Sequence, residues 1–384
     1  MLQRWFERTS FIDIFLWLFR TIIIILIIWG TLSALTSGKQ DGESAGQFAS
    51  RCIQAQDLLQ CTSRYSSENW LDFVIFGLAQ GSVYALIALG YTLVYGVLFM
   101  INFAHGEVFM AGAYTAFFVA RAFAEPPDEN TPPFLDSNPI LALLIVILVA
   151  MVTSIIVAVL LERIAYRPLR RAPRLVPLIT AIGASFFLQY TFRGLYGSGV
   201  EAYPNVKVLE GEWSILGLEI LKTQAVVIVA SILLMIALYI FVMRTKTGKA
   251  MRAVAEDKDV AALMGVDVDR VIVITFATGA AMAGAGGVLY ALIFRQVHFF
   301  MGFIPGIKAF TAAVLGGIGN IPGAMLGGLF LGVFEAVGPS LFLEGLNIPA
   351  PYQLKDVIAF TMLVLVLIFR PTGIMGERLA EKKA

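Results

Sequence analysis

Apolar stretches bounded by charge recur along this chain. Most are long enough to cross hydrocarbon, which takes about 20 mostly apolar residues per helix. They fall roughly at 12–35, 71–98, 104–123, 139–162, 175–197, 223–243, 271–294, 305–322, 324–343 and 355–370. The pattern predicts an all-α fold, a polytopic transmembrane bundle of about eight core spans plus one extra amino-terminal span, with broken or re-entrant glycine-rich helices; counting the glycine-rich pair as two passes gives ten. The segment 104–123 is short. The glycine-rich pair 305–322 and 324–343 is read as two passes, with a re-entrant loop plus one crossing as the alternative.

Charge changes the picture by orienting it. Lys and Arg favour cytoplasmic loops. The loop after Leu161 carries Arg163, Arg167, Arg170, Arg171 and Arg174. The loop after Met243 carries Arg244, Lys246, Lys249, Arg252, Lys258 and Arg270, and the tail carries Arg370, Arg378, Lys382 and Lys383. All three are expected to be cytoplasmic. The segment 124–138 holds Glu125, Asp128, Glu129 and Asp136 without Lys or Arg, and 198–222 is also net acidic. Both are expected on the far side. The alternation works if 71–98 runs outside to inside and both glycine-rich segments cross.

Residues 1–35 begin with Arg4 and Arg8 and continue into an apolar run, as a signal sequence does. Phe11 to Phe19 lengthens that run enough to span. We read it as an uncleaved anchor in preference to a cleaved signal. Either way, 36–69 lies outside. That polar segment holds the two cysteines of the chain, Cys52 and Cys61. A disulfide between them is expected to persist outside the cytoplasm and to contribute about 2–3 kcal/mol; two unrelated thiols are the alternative. The domain expectation is therefore 1–35 anchor, 36–69 external segment, 70–377 membrane domain and 378–384 cytoplasmic tail.

Composition agrees. Of 384 residues, 58% are hydrophobic and 14% charged, against roughly a quarter charged in soluble domains. Mean hydropathy is +0.81. Net charge is +1, so bulk electrostatics gives no reason to expect nucleic-acid binding. The thirty-five glycines suit close helix packing in lipid. Enzyme chemistry is hard to find. His105 and His298 are far apart in sequence, and no H-E-x-x-H, G-x-S-x-G or phosphate-loop pattern occurs. No cofactor is expected, and ATP, if it drives this protein, must be hydrolysed by another subunit.

Three regions carry candidate function. Thr245 to Arg270, TKTGKAMRAVAEDKDVAALMGVDVDR, reads as two short helices. Asp257 N-caps the second, Asp259 sits in its first turn, and Gly265 suits the position past its end. Such a short helix is marginal alone. Val260, Ala261, Leu263 and Met264 offer it an apolar docking face, although a solvated loop is the alternative. Met100 to Met110, MINFAHGEVFM, places Asn102, His105 and Glu107 beside a span. Ionisable groups there usually face a cavity or partner. A gating role is preferred over ligand contact, with a solvated turn as the alternative. Ala313 to Gly332 holds Gly316, Gly317 and Asn320 among further glycines, dense enough to break a helix. A broken helix is one way to build a polar transport site, and tight small-residue packing is the other reading. Ser82, Tyr84, Ser185 and Gln189 are further polar groups within spans.

Residues 245–270 resemble the coupling loop of ABC-importer permeases, with an alanine-rich run through Ala255 and a glycine at the expected place. GLAQGSVYALIALGYTLVYGVLFMINFAHGEVFMAGAY (77–114), ERIAYRPLR (162–170), LITAIGASFFLQ (178–189), KAFTAAVLGGIGNIPGAMLGGL (308–329) and the ending KDVIAF…RPTGIMG resemble LivH-type permeases for branched-chain amino acids. The resemblance covers roughly 70–377 and leaves 1–69 outside it. It implies a bacterial inner-membrane importer built from this chain, a second LivM-like permease, two cytoplasmic ATP-binding subunits and a periplasmic amino-acid-binding protein. It also implies that Ala255, Asp257, Asp259, Ala261, Leu263, Met264 and Gly265 couple to an ATPase. Urea or short amides are the alternative substrates. A proton-coupled secondary carrier is the alternative class, and it has no need of a coupling loop.

Overall fold

The structure, a computed structural model, describes residues 11–36, 67–126, 132–170, 172–173, 175–215, 218–344, 346, 348, 351–370 and 372–376. Cys52, Cys61 and the tail 378–384 lie outside the described residues. The helices are α1 (Phe11–Thr36), α2 (Ser67–Leu98), α3 (His105–Ala124), α4 (Phe134–Ser137), α5 (Pro139–Leu161), α6 (Leu175–Tyr196) and α7 (Lys222–Arg244). They continue as α8 (Lys246–Glu256), α9 (Lys258–Leu263), α10 (Val268–Phe294), α11 (Phe303–Gly316), α12 (Ile321–Gly338) and α13 (Lys355–Phe369). Four short strands are β1 (Glu201–Ala202), β2 (Glu212–Ile215), β3 (Leu218–Leu221) and β4 (Gln296–Val297). They form two small antiparallel pairs, β1 with β4 and β2 with β3. Among the described residues, eight helices are long and apolar enough to cross a membrane. The protein is a multi-pass helical bundle.

The chain divides into two compact units. The first comprises Met1–Gly77 and Val333–Leu365. In it α1 lies so close to the π-helical turn Pro339–Leu343 that a Cβ on Gly30 would stand 2.6 Å from the Phe342 carbonyl oxygen. Glu335 is buried, and its carboxylate lies 3.9 Å from the Lys355 ammonium.

The second unit comprises Leu78–Gly332 and Val366–Ala384. Its centre is α3, α5 and α10. Gly284 of α10 meets α5 so closely that a Cβ there would stand 2.5 Å from the Ala150 carbonyl and 2.6 Å from Ser154 Oγ. The Ser154 hydroxyl in turn donates to the Val108 carbonyl of α3 at 2.9 Å. Small residues let these backbones approach, which is how helices associate without a hydrophobic gradient in lipid. In α5 the buried positions Ala142, Val146, Ala150, Ser154 and Ala158 lie four residues apart, with Leu161 closing the row. Ile140, Leu144, Leu148 and Ile156 stand exposed between them, as a lipid-facing surface requires.

The charged segments sort to opposite ends. Arg167 Nη2 lies 2.6 Å from Asp269 Oδ2, and Arg170 pairs with both Asp269 and Glu162, which joins the two basic loops. Lys207 Nζ lies 2.7 Å from Asp136 Oδ2, which joins the two acidic segments. Asp136 raises the Lys207 ammonium above its ordinary range.

Of the two readings of the glycine-rich pair, the structure matches the broken helix followed by one membrane-length helix, not two full spans. α11 has 14 residues, about 21 Å at 1.5 Å per residue, too short for a hydrocarbon core of about 30 Å. Ile321–Leu343 is long enough. Gly317 and Gly319 break the helix with φ of 105° and 95°. The turn packs on the segment after α13, where the Ile374 and Met375 N–H groups donate to the Leu315 and Gly316 carbonyls at 2.8 and 3.0 Å. β4 belongs to the acidic end through its pairing with β1. The short helix plus the non-helical His298–Gly302 approach therefore carries the chain inward from that end.

Candidate functional site

Helix α3 starts inside the bundle. A Cβ on Gly90 of α2 would run into the His105 imidazole, so the first residue of α3 sits beside a position eight residues before the end of α2. That is about 12 Å of helix. The intervening Phe99–Ala104 is therefore folded back into the protein. His105 is buried, its ring edge-on to Tyr91 at 4.9 Å between centroids.

The amino-terminal end of α11 meets that of α3. A Cβ on Gly106 would stand 2.5 Å from the Gly302 carbonyl oxygen, and a Cβ on Gly302 would collide with the Gly106 carbonyl. Only glycine permits this approach. Both helices direct their partially positive ends at one place.

Beside that meeting point lies a cavity of about 250 Å³. Its walls come from Tyr91 of α2, Phe103 of the folded-back segment, Ile182, Ser185 and Phe186 of α6, and Gly302, Phe303, Gly306 and Ile307 at the start of α11. The lining is mostly apolar, with the Ser185 hydroxyl as a polar point. Behind that hydroxyl sits buried Glu107. Its Oε1 accepts from Ser185 Oγ at 3.2 Å and from Gln189 Nε2 at 2.6 Å. A liquid water occupies about 30 Å³, so the cavity has the space of roughly eight waters, the scale of a single amino acid.

The structure thus brings His105, Glu107, Ser185 and Gln189 together. Asn102 belongs to the same neighbourhood: its Oδ1 accepts from the Tyr166 hydroxyl at 2.6 Å, and its carbonyl accepts from the His105 N–H at 3.1 Å. Ser82 lies elsewhere on α2 and donates to the Leu78 carbonyl of its own helix at 2.7 Å. Tyr84 accepts from Gln80 Nε2 at 2.5 Å. Gly316, Gly317 and Asn320 sit away from the cavity at the turn on residues 373–376, where Asn320 Nδ2 donates to the Met375 carbonyl at 3.0 Å and its Oδ1 caps α12. Sequence reasoning missed Tyr91, Phe103 and Phe303. It also missed Lys308, whose buried ammonium lies 5.9 Å from the centre of the Tyr84 ring. A basic residue inside an apolar run was a visible signal.

The coupling segment folds as two helices, α8 and α9. Asp257 Oδ1 accepts from the N–H groups of Asp259 and Val260 at 2.9 and 3.0 Å. At the other end Val266 N–H donates to the Ala261 carbonyl and Gly265 N–H to the Ala262 carbonyl, both at 3.0 Å, with Gly265 at φ 84°. This pair of hydrogen bonds closes the helix through a left-handed residue. Ala261 packs inward and Ala255 is half-buried. Asp259 is exposed. Leu263 and Met264 are 87% and 80% exposed, with Val260 beside them at 54%. Burial, with the Arg170 charge nearby, pushes the Lys258 amine below its ordinary range.

Comparison with known proteins agrees with this architecture. The family model for the permease component of branched-chain amino acid transport systems matches residues 73–367. The chain is 45% identical over 321 residues to the high-affinity branched-chain amino acid transport system permease protein BraD of Pseudomonas aeruginosa, covering 82% of this chain and 98% of BraD. It is 44% identical over 324 residues to the corresponding LivH of Escherichia coli K12, covering 82% and 99%. A probable LivH of Methanocaldococcus jannaschii is 26% identical over 291 residues, covering 76% and 88%. Eight membrane-length helices among the described residues, together with similarity across nearly the whole of these relatives, mean that this chain belongs to the family of branched-chain amino acid transport system permease components.

Proposed function

We propose that this chain imports branched-chain or related apolar amino acids as one of two membrane-spanning subunits of an ATP-driven importer in a bacterial inner membrane. Its partners are a second, LivM-like permease, two cytoplasmic ATP-binding subunits and a periplasmic binding protein. The observation that carries the reading is α9: a helix fixed at both ends yet presenting Val260, Leu263 and Met264 uncovered. An exposed apolar ridge on so short a helix calls for a partner. Those residues, with Ala255, Asp257, Asp259, Ala261 and Gly265, form the ATPase coupling surface.

The passage runs by the cavity. Its apolar walls suit an aliphatic side chain, and the Ser185–Glu107–Gln189 group supplies polarity for the ends of an amino acid. Asn102 and His105 act in gating. Ser82 and Tyr84 line the route along α2, and Gly316, Gly317 and Asn320 hold the half-length helix that borders it. Mild polarity favours passage over tight retention, so selectivity belongs mainly to the external binding protein. Residues 1–35 anchor the chain, 36–69 form an external segment with Cys52 and Cys61 bridged, 70–377 form the permease and 378–384 the cytoplasmic tail.

The test is competition in vesicles holding the whole complex. Labelled leucine uptake is expected to fall with excess isoleucine or valine and to be unaffected by urea or acetamide. Suppression by urea or acetamide, with isoleucine inert, would move the protein to the amide branch of substrates.

A further inference from the structure

Two chains of contact lead from the coupling helices to one wall of the cavity. The first starts at Lys258, the opening residue of α9, whose ammonium lies 5.9 Å from the centre of the Phe99 ring. The second starts at Asp269 in the first turn of α10, which follows α9 after a short link. Asp269 accepts from Arg167 at 2.6 Å and also from Arg170. Arg170 grips the fully buried Glu162 as well. Glu162 opens the π-helical turn Glu162–Tyr166, a form found mostly at functional positions. That turn ends in Tyr166, whose hydroxyl holds Asn102 at 2.6 Å.

Both chains end on the same six residues, Phe99–Ala104. This segment has two features of a switch. Phe99 stands at φ 55°, in the left-handed region that a bulky side chain resists. Phe103 forms part of the cavity wall. The guanidinium of Arg170 binds two carboxylates from different parts of the chain, so the start of α10 cannot shift without pulling on the π turn.

We propose that Phe99–Ala104 is the gate of the cavity, and that the Glu162–Arg170 element is the lever that moves it, with Tyr166 as the positioning residue. Motion of α9 and α10 reaches the gate through Asp269, Arg170 and Tyr166, and directly through Lys258 and Phe99. The inference rests on the reading above that ATPase subunits act on α9.

Tyr166→Phe removes one hydroxyl and keeps the ring, including its contact with Phe276 at 5.8 Å. In the assembled complex carrying Phe103→Cys, a charged thiol reagent reports exposure of the wall, followed at that peptide by mass spectrometry. ATP is expected to change the labelling rate severalfold. Adding Tyr166→Phe should shrink that change at least twofold, the remainder passing through Lys258 and Phe99, and cut uptake about tenfold, the scale of leaving a buried acceptor on Asn102 unpaired. ATP hydrolysis and recovery of the complex should stay normal. Arg170→Lys, which keeps the charge and loses the fork, should act in the same direction. Labelling that ignores ATP in the parent, or responds equally in Tyr166→Phe, would overturn the gate. So would ATP hydrolysis falling in step with uptake, which a merely structural hydroxyl would produce. An ATP-responsive gate in a complex that imports no branched-chain amino acid would support the lever and refute the substrate reading.

Discussion

Leu263→Glu is expected to leave the permease folded and inserted while abolishing coupled transport. Leu263 is 87% exposed, so the change removes almost no internal packing, and surface changes of that kind usually cost within about 0.5 kcal/mol. At a dry interface with an ATPase the same carboxylate costs several kcal/mol. Each 1.4 kcal/mol is about tenfold, so uptake and binding-protein-stimulated ATP hydrolysis should fall by two orders of magnitude or so. Gly265→Val should act alongside it by another route. Its φ of 84° costs a β-branched residue about 1–2 kcal/mol, which loosens the end of α9 without touching the cavity. Lys382→Ala in the tail is the control and should change little. Normal uptake in both loop variants at matched protein levels would make 257–265 a connector and misplace the coupling surface.

Gly302→Val is expected to be the most damaging single change near the cavity. A Cβ there meets the Gly106 carbonyl carbon at 2.8 Å and the Met110 Cβ at 2.9 Å. The first of these is backbone at the start of α3 and cannot swing aside. Overpacking costs about 1–3 kcal/mol, and more when the obstacle is rigid. The ends of α3 and α11 must separate, which moves Phe303 and Gly306 in the cavity wall. Melting of the detergent-solubilised complex should occur several degrees lower, and the protein that survives should be inactive. Gly183→Ala in α6, with nothing within 4 Å of the added carbon, should be neutral. Equal melting and uptake in Gly302→Val would show that the two helix ends do not meet as described.

Much of this was legible in the sequence. Span positions followed from apolar length, and the ends were sorted by charge: the basic loops meet through Arg167, Arg170 and Asp269, the acidic ones through Lys207 and Asp136. Asp257 and Gly265 marked the ends of α9, because capping chemistry is local. The cavity was not legible. Tyr91, Phe103 and Phe303 look like any aromatic residue of a span. They converge because Gly90, Gly106 and Gly302 let three distant segments touch, and such pairings leave no periodic trace. The inward start of α3 was hidden for the same reason. The short strands β1 and β4 depend on a pairing between positions nearly a hundred residues apart. The break after α11 was legible in the density of glycines around Gly317, but hydropathy that continues through the break left two full passes and a broken helix with one crossing equally open.

ATP hydrolysis by partner subunits on α9, rather than an ion gradient, is the proposed driving force of this permease. The direct measurement is labelled leucine uptake into vesicles carrying the whole complex and loaded with or without ATP, each with and without binding protein and with and without an imposed pH gradient. Uptake is expected only when ATP and binding protein are both present, unchanged by the gradient. Uptake driven by the pH gradient in vesicles without ATP would contradict the account.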